Sequence, residues 1–370
     1  MIARRPLLQL DWGMLLPSVA LTTIGILLVF SASFHQGTSS VLVSSHWFRH
    51  SMFALVGLGI MLVVARLDYR VFRTFTPHIY LATLALLAFV DVAGQEVLGV
   101  RRWIDLGVLQ LQPSELAKFA TILALARLFS DYKDQAAKPH MLVISLLLVA
   151  PCTALVFVQP DLGTAIIFGF IWLGMAVMAG VRAFYLGALG VVGIAATIPA
   201  YLFLLKEYQR ERVHTFLDPA SDPLGAGYNI LQSEISVGSG GLLGKGLLNG
   251  TQSQLHFLRV QQTDFIFSVL GEELGFVGAA LVFVLFAVLL WRGLEAAVNA
   301  REDFGRLVAT GVVVMILAQA VINIGVNIRI FPVTGIPLPF ISAGGSSLLT
   351  MFFALGVLQS VYRYRTKPRW

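Results

Sequence analysis

Charged side chains set among apolar residues are the natural places to look for chemistry in this 370-residue chain. A charge in apolar surroundings carries a large desolvation cost, so each one needs a reason. Glu115 and Lys118 stand in Gln112-Pro113-Ser114-Glu115-Leu116-Ala117-Lys118. A spacing of three puts both on one helical face, and the proline suits a helix start. They can form an internal ion pair that fixes helix packing, or organise a substrate; the two roles are compatible. Asp161 lies in Gln159-Pro160-Asp161-Leu162-Gly163-Thr164, a tight turn where it can cap the next helix. Asp264 lies in Gln262-Thr263-Asp264-Phe265-Ile266-Phe267, with Glu272 and Glu273 following. It too can be a cap. It can also be a general base: its apolar neighbours would raise its pKa, and a helix N-terminus would lower it.

A second set is basic. Arg49, Arg101, Arg102, Lys206, Arg210, Arg212, Lys245 and Arg259 fall at or beyond the outer ends of apolar runs. Guanidinium groups pair well with phosphate oxygens, so an anionic, lipid-linked substrate at the outer leaflet would explain them. Familiar motifs for other chemistries are missing. Gly238 to Gly246 resembles a phosphate loop, but Ser239 falls where the first glycine belongs and Gly246 where the Ser/Thr belongs. No His/Cys group has zinc spacing, and Cys152 is the single cysteine. The motif Gly271-x-x-x-Gly275 allows close helix packing.

These groups must be carried by membrane spans. The chain is 57% hydrophobic and 12% charged, with a mean hydropathy of +0.81, about half the charge that a soluble domain uses to cover its surface. Uncharged stretches run from Trp12 to Phe48, Pro139 to Pro160, Leu162 to Val181, Ala183 to Leu205, Leu274 to Trp291, Leu307 to Ile328 and Ile330 to Tyr362. A span needs about 20 such residues. About ten transmembrane helices are expected, at 12–33, 47–65, 75–94, 112–129, 141–158, 161–180, 184–204, 265–291, 307–329 and 342–362, in a single all-α membrane domain. The first is too long for a signal peptide core and reads as an uncleaved helix. Lys and Arg flank alternate loops, while loops 34–46, 159–160 and 331–341 contain none. That asymmetry places both termini in the cytoplasm. The net charge of +6 therefore marks orientation, not nucleic-acid binding. Residues 206–263 form a long outer connection between helices 7 and 8, rich in turn residues, either a flexible tether or a functional loop with amphipathic pieces such as Tyr228-Asn229-Ile230-Leu231.

From Leu15 to Tyr362 the chain resembles the SEDS family of cell-wall proteins (shape, elongation, division and sporulation). The resemblance rests on Arg101-Arg102-Trp103-Ile104-Asp105-Leu106-Gly107, Gln112 to Lys118, Gln159 to Thr164 and Tyr208-Gln209-Arg210-Glu211-Arg212. Asp218 to Gly227, Gly238 to Gln254, Thr263 to Gly275 and Pro332 to Ser347 complete it. The Tyr-Gln-Arg-x-Arg run and Gly250-Thr251-Gln252-Ser253-Gln254 favour the elongation, rod-shape branch over the division branch. One departure stands out: Arg259-Val260 occupies the place of the family's Pro-Glu pair, which puts in question any contact made by the missing acid.

The resemblance implies polymerisation of peptidoglycan glycan strands from lipid II, with release of undecaprenyl pyrophosphate and Asp264 as the catalytic aspartate. Candidate substrate contacts are Glu115, Lys118, Arg49, Arg102, Trp103, Asp161, Arg210, Arg212 and Ser346. It implies a class B penicillin-binding protein as partner, together with the rod-complex proteins MreC and MreD. A divalent cation, Mg2+ or Mn2+, could share the pyrophosphate charge, although the sequence offers no dedicated metal site. Two other readings suit buried charges in a membrane bundle: a flippase for lipid II, and a non-catalytic scaffold for the penicillin-binding protein.

Overall fold

The computed structural model describes residues 10–33, 46–97, 100–105, 107, 110–204, 207–222, 225–255, 257–258 and 260–365. Arg259 and Lys206 lie outside the described residues. The helices are α1 (Trp12–Ser33), α2 (His46–Val64), α3 (Arg70–Ala93), α4 (Pro113–Asp131), α5 (Pro139–Val158), α6 (Leu162–Ala179), α7 (Ala183–Pro199), α8 (Glu207–Leu217), α9 (Ala226–Ser239), α10 (Thr251–Gln254), α11 (Ile266–Val298), α12 (Asp303–Asn327) and α13 (Gly345–Arg363). A π turn at Ala200–Leu204 prolongs α7. Among the described residues, nine helices are long and apolar enough to cross a membrane. The tenth expected span, α4, is 19 residues long and mostly buried, but it carries Glu115, Lys118, Arg127 and Asp131. The chain is a multi-pass, all-α membrane protein.

In lipid, backbone groups must be satisfied within the segment, so uncharged stretches of this length form helices. At the centre stands α12, which packs on α4, α6, α11 and α13. At the periphery, α7 buries none of its described side chains. A helix apolar all round yet exposed is stable only where lipid is the solvent.

Helices α3 and α11 are among the spans that run beyond their uncharged stretches. Helix α3 starts at Arg70, five residues before the expected 75, and α11 continues past Trp291 to Val298. The added turns carry ion pairs, Arg70 with Glu302 at 2.8 Å and Arg292 with Asp11 and Glu295. Hydropathy detects only the portion of a helix that lies in lipid.

Two features have no counterpart in the sequence reading, a small sheet and a break in α11, and a third decides between its two alternatives for the long connection. A small antiparallel sheet, β1 (Gln95–Val97), β2 (Val100–Asp105) and β3 (Gln110–Leu111), bridges α3 and α4. The described part of the 206–263 connection is structured: α9 lies along α11, and Tyr228 to Leu231 belong to α9, with Ile230 buried. Helix α11 breaks at Gly275, where φ is 62° and ψ −160°. Residues 241–246 repair the break. Lys245 and Gly246 donate backbone N–H groups to the carbonyls of Glu272 and Glu273 (2.9 and 3.0 Å), and Phe276 and Val277 donate to Gly241 and Leu242 (2.9 and 3.0 Å). A Cβ at Gly275 would lie 2.3 Å from the Gly244 nitrogen. The glycine-rich stretch is thus a backbone patch on a broken helix.

The connection from α12 to α13 dips into the bundle. Ile336, Leu338, Phe340 and Ile341 are buried. Gly163 at the start of α6 admits this segment: a Cβ there would lie 2.6 Å from the Thr334 carbonyl oxygen.

Candidate functional site

Asp264 ends the 260–264 turn, one residue before Phe265, the N-cap of α11. No side chain of Phe265 caps the helix, and the Asp264 carboxylate does not do so either. The capping role falls to Asn327 of α12, whose Oδ1 accepts from the Ser268 backbone N–H at 3.0 Å. Asp264 is partly buried. Burial pushes its carboxyl above the ordinary range; the Thr263 hydroxyl and Arg212 pull it back, nearby Asp161 pushes it up, and Arg102 pulls it down. Four groups from different elements therefore act on one carboxyl.

Those elements meet at one end of the bundle. Arg102, on β2, reaches the α5–α6 turn: its Nε donates to the Gln159 carbonyl at 2.7 Å, and a second nitrogen donates to that of Pro160. A third lies 3.9 Å from Asp161 Oδ2. Asp161 caps α6, accepting from the Thr164 N–H and hydroxyl at 3.0 Å each. Arg212, on α8, approaches the Val333 carbonyl at 3.5 Å. Gly335 completes the floor; a Cβ there would lie 3.8 Å from Asp264 Oδ2. Asp264, Asp161, Arg102 and Arg212 form one patch, two carboxylates and two guanidiniums. Among the described residues no ion pair of 4 Å or less holds the Asp264 carboxylate.

The other candidates are placed differently. Glu115 and Lys118 form a 2.7 Å ion pair, each 1% exposed, within the packed helices. Among the described residues Glu115 Oε2 has no protein partner. Ser346 accepts from the Gln112 backbone N–H at 3.1 Å and so ties α13 to the start of α4. Trp103 lies on β2 opposite Gln95 and is partly buried. Arg210 donates to the Leu202 carbonyl at 2.7 Å, toward the end of α7. Arg49 stands exposed in the first turn of α2, beside His46. Val260, where the family's acid would fall, is 60% exposed with φ of 56°. The described residues contain no group of three or more His, Cys, Asp or Glu arranged for a metal. Asp161 and Asp264 are two oxygen donors beside two cations, and the described residues supply no third carboxylate to that patch.

Sequence reasoning passed over the neutral residues that support this patch. Asn323 and Asn327 both donate to the Asp264 carbonyl, at 3.1 and 2.9 Å. Ser342 donates to the Thr263 carbonyl at 2.7 Å, and the Ala343 N–H to that of Gln262 at 2.9 Å. The only hint was polarity: two asparagines four apart in an uncharged run must find partners inside a membrane protein. Glu272 and Glu273, noted only as followers of Asp264, are fully buried. Glu272 accepts from Lys245 at 2.8 Å and from the Gln252 and Ser253 N–H groups at 2.9 and 3.1 Å, pinning the 245–253 segment. Glu273 accepts from Ser31 of α1 at 2.5 Å.

Known proteins resemble this chain along nearly its whole length. The family model described as a cell cycle protein, covering FtsW, RodA and SpoVE, matches residues 12–367. Peptidoglycan glycosyltransferase MrdB of Escherichia coli K12 is 42% identical over 96% of this chain and 94% of its own. Stage V sporulation protein E of Bacillus subtilis is 38% identical over 96% and 97%. Among solved structures, one from a peptidoglycan synthase complex that coordinates polymerization and crosslinking superposes with a TM-score of 0.82 at 32% identity, covering 96% of this chain and 98% of that one. The rod shape determining protein RodA of Thermus thermophilus superposes with a TM-score of 0.72 at 30% identity, covering 97% and 99%. The residues that carried the resemblance, the helical bundle and these matches agree: this chain belongs to the FtsW/RodA/SpoVE family of cell cycle proteins.

Proposed function

We propose that this chain is a peptidoglycan glycosyltransferase that polymerises lipid II for cell elongation, with Asp264 as general base. The carrying observation is the Asp264 carboxylate itself. It is held beside Arg102, Arg212 and Asp161 without closing an ion pair, and burial raises its pKa. A base is most effective when its pKa lies nearer the working pH than that of a free aspartate.

In this reading the acceptor is the 4-hydroxyl of the GlcNAc of lipid II. Asp264 takes its proton as the oxygen attacks C1 of the MurNAc at the end of the growing strand. The C1–oxygen bond to undecaprenyl pyrophosphate breaks, and the electron pair leaves with the pyrophosphate. The α-linked donor becomes a β-1,4 link, an inversion that needs base and leaving group on opposite faces. Arg102 and Arg212 are the nearest cations to offset the negative charge that develops. Asp161 keeps Arg102 in place. Arg49, Arg210 and Trp103 are proposed contacts for more distant parts of the lipid-linked chain. Glu115 and Lys118 stiffen the helix beneath, and Ser346 holds the start of that helix.

The Asp264 end of the bundle faces outward from the bacterial inner membrane, and both termini face the cytoplasm, following the Lys/Arg asymmetry of the loops. The partner is a class B penicillin-binding protein, acting with MreC and MreD. By favouring one arrangement of the 207–263 segment, the partner would shift the population toward the active state.

The test is polymer synthesis from lipid II by the purified complex. Asp264→Asn should yield no glycan while still binding the partner. Full polymer yield from that variant would remove Asp264 as base. Lipid II translocation by a wild type that makes no polymer would favour the flippase reading.

A further inference from the structure

We propose that Asn327, aided by Asn323, is the positioning residue for Asp264, and that Ser233 of α9 couples the extramembrane segment to it. This inference rests on the reading of Asp264 as the base.

The two amides use their donors completely. Asn323 Nδ2 donates to the carbonyls of Asp264 (3.1 Å) and Ile336 (2.8 Å). Asn327 Nδ2 donates to the carbonyls of Asp264 (2.9 Å) and Asn323 (2.8 Å). Both side chains are 1% exposed or less. An amide nitrogen has two N–H groups, and here each finds a carbonyl. The Asp264 backbone is thereby fixed to α12 and to the dipping 336–343 segment together. The carbonyls of Thr263 and Gln262 are held by that same segment. Three consecutive carbonyls cannot shift unless α12 or the dipping segment moves.

Asn327 performs a second task with its oxygen. The first turn of a helix leaves N–H groups unpaired, and an aspartate just before it is a common acceptor. Here Asn327 Oδ1 accepts from the Ser268 N–H (3.0 Å) and hydroxyl (2.6 Å). The Asp264 carboxylate is released from capping and stays available as a base.

Ser233 joins α9 to this device. Its Oγ lies 2.6 Å from Ser268 Oγ and 2.9 Å from the Asn327 carbonyl oxygen, and it is 1% exposed. The opposite face of α9 is open: Glu234 and Ile235 are exposed, with Glu234 paired to Arg329 at 3.2 Å. A contact that seats or lifts α9 therefore reaches Asp264 through Ser233, Ser268 and Asn327 with no intervening apolar layer. Every step is a direct hydrogen bond, and this chain is the route by which seating α9 would bias Asp264.

The test uses the complex with the class B penicillin-binding protein, lipid II as substrate, and initial rates against lipid II concentration and pH. Asn327→Asp keeps the acceptor for Ser268 and removes the donor to Asp264. It should lower kcat about 100-fold, the effect of displacing a reacting group by about 1 Å, with KM within about threefold. The loss should persist on the pH plateau, which separates misplacement from a shifted pKa. Ser233→Ala should lower kcat about fivefold and Ser233→Thr should restore it. The double variant Ser233→Ala/Asn327→Asp should be no slower than Asn327→Asp alone. A kcat within twofold of wild type for Asn327→Asp, or a double variant slowed by the product of the single effects, overturns the proposal. Should Asn327→Asp fail to fold, Ser233→Ala and Ser233→Thr decide alone, and equal rates for the two overturn it. Asp264→Asn is run alongside. Full activity there refutes the base, whereas an inactive Asp264→Asn beside unimpaired Asn327 and Ser233 variants refutes only the positioning device.

Discussion

The patch around Asp264 and the opposite end of the bundle treat charge in opposite ways. At the end where α3 and α12 begin and α4, α11 and α13 finish, acids and bases are closed into pairs. Arg292 clasps Asp11, whose backbone exchanges two hydrogen bonds with Gln359 at 2.8 and 2.9 Å. Arg70 meets Glu302 at 2.8 Å, Arg73 meets Asp131 at 2.5 Å, and Lys133 and Arg306 share Asp303 at 2.9 Å each. In the Asp264 patch, Arg102 approaches Asp161 only to 3.9 Å, and Arg212 bonds a backbone carbonyl, although closed pairs such as Glu115 with Lys118 stand nearby in the same end. Closed pairs fasten helices. Loosely matched charges around a carboxyl tune it instead. The same residue types thus fasten helices in one place and, in the proposed mechanism, tune a base in another.

The sharpest way to break that comparison is to remove one group at each end. Asp264→Asn should lower polymerisation about 1,000-fold or more, within the range for loss of a general base. It should also raise the thermal midpoint. The raised pKa of Asp264 means that its ionised form is disfavoured in the folded state. Its stability contribution is therefore greatest below the ordinary carboxylate range and is lost as pH rises through the raised folded value. Asparagine removes that penalty at neutral pH. A thermal scan showing a lower midpoint would place Asp264 among the structural pairs.

Arg292→Ala should do the reverse. It leaves the buried Asp11 carboxylate unpaired and should cost about 3 kcal/mol of stability, while polymer made per folded molecule stays within about twofold. Thermal unfolding measured beside the rate checks both halves. Arg212→Ala should act on tuning. With one attractive cation gone, the acidic limb of the pH–rate profile should move to higher pH, and the plateau rate should fall about tenfold. An unmoved limb would detach Arg212 from Asp264. Arg73→Ala sets the lower bound. Its pair is largely exposed, so stability should change by less than about 1 kcal/mol and activity not at all.

Much of this architecture is legible in sequence because lipid imposes a single rule. An uncharged run of about 20 residues must close its own hydrogen bonds, and α1, α5, α6 and α12 follow directly. The proposed base was also visible, since an aspartate followed by Phe265-Ile266-Phe267 is conspicuous by its cost. The supporting groups were not. Asn323 and Asn327 are neutral, lie in an otherwise apolar span and contact a turn about 60 positions away. Gly238 to Gly246 resembled a phosphate loop because both need glycine, yet here the need is close approach to the break in α11.

Sequence alone determined the membrane spans, the choice of Asp264 as the proposed base and the supply of arginines, because hydropathy and charge are properties of residues taken singly or in short runs. Tertiary structure decided which arginine faces Asp264, which acid is merely a cap, and what holds the Asp264 backbone still. Those outcomes depend on contacts between α8, α9, α12, β2 and the dipping 336–343 segment. No short window of sequence contains both partners of such a contact.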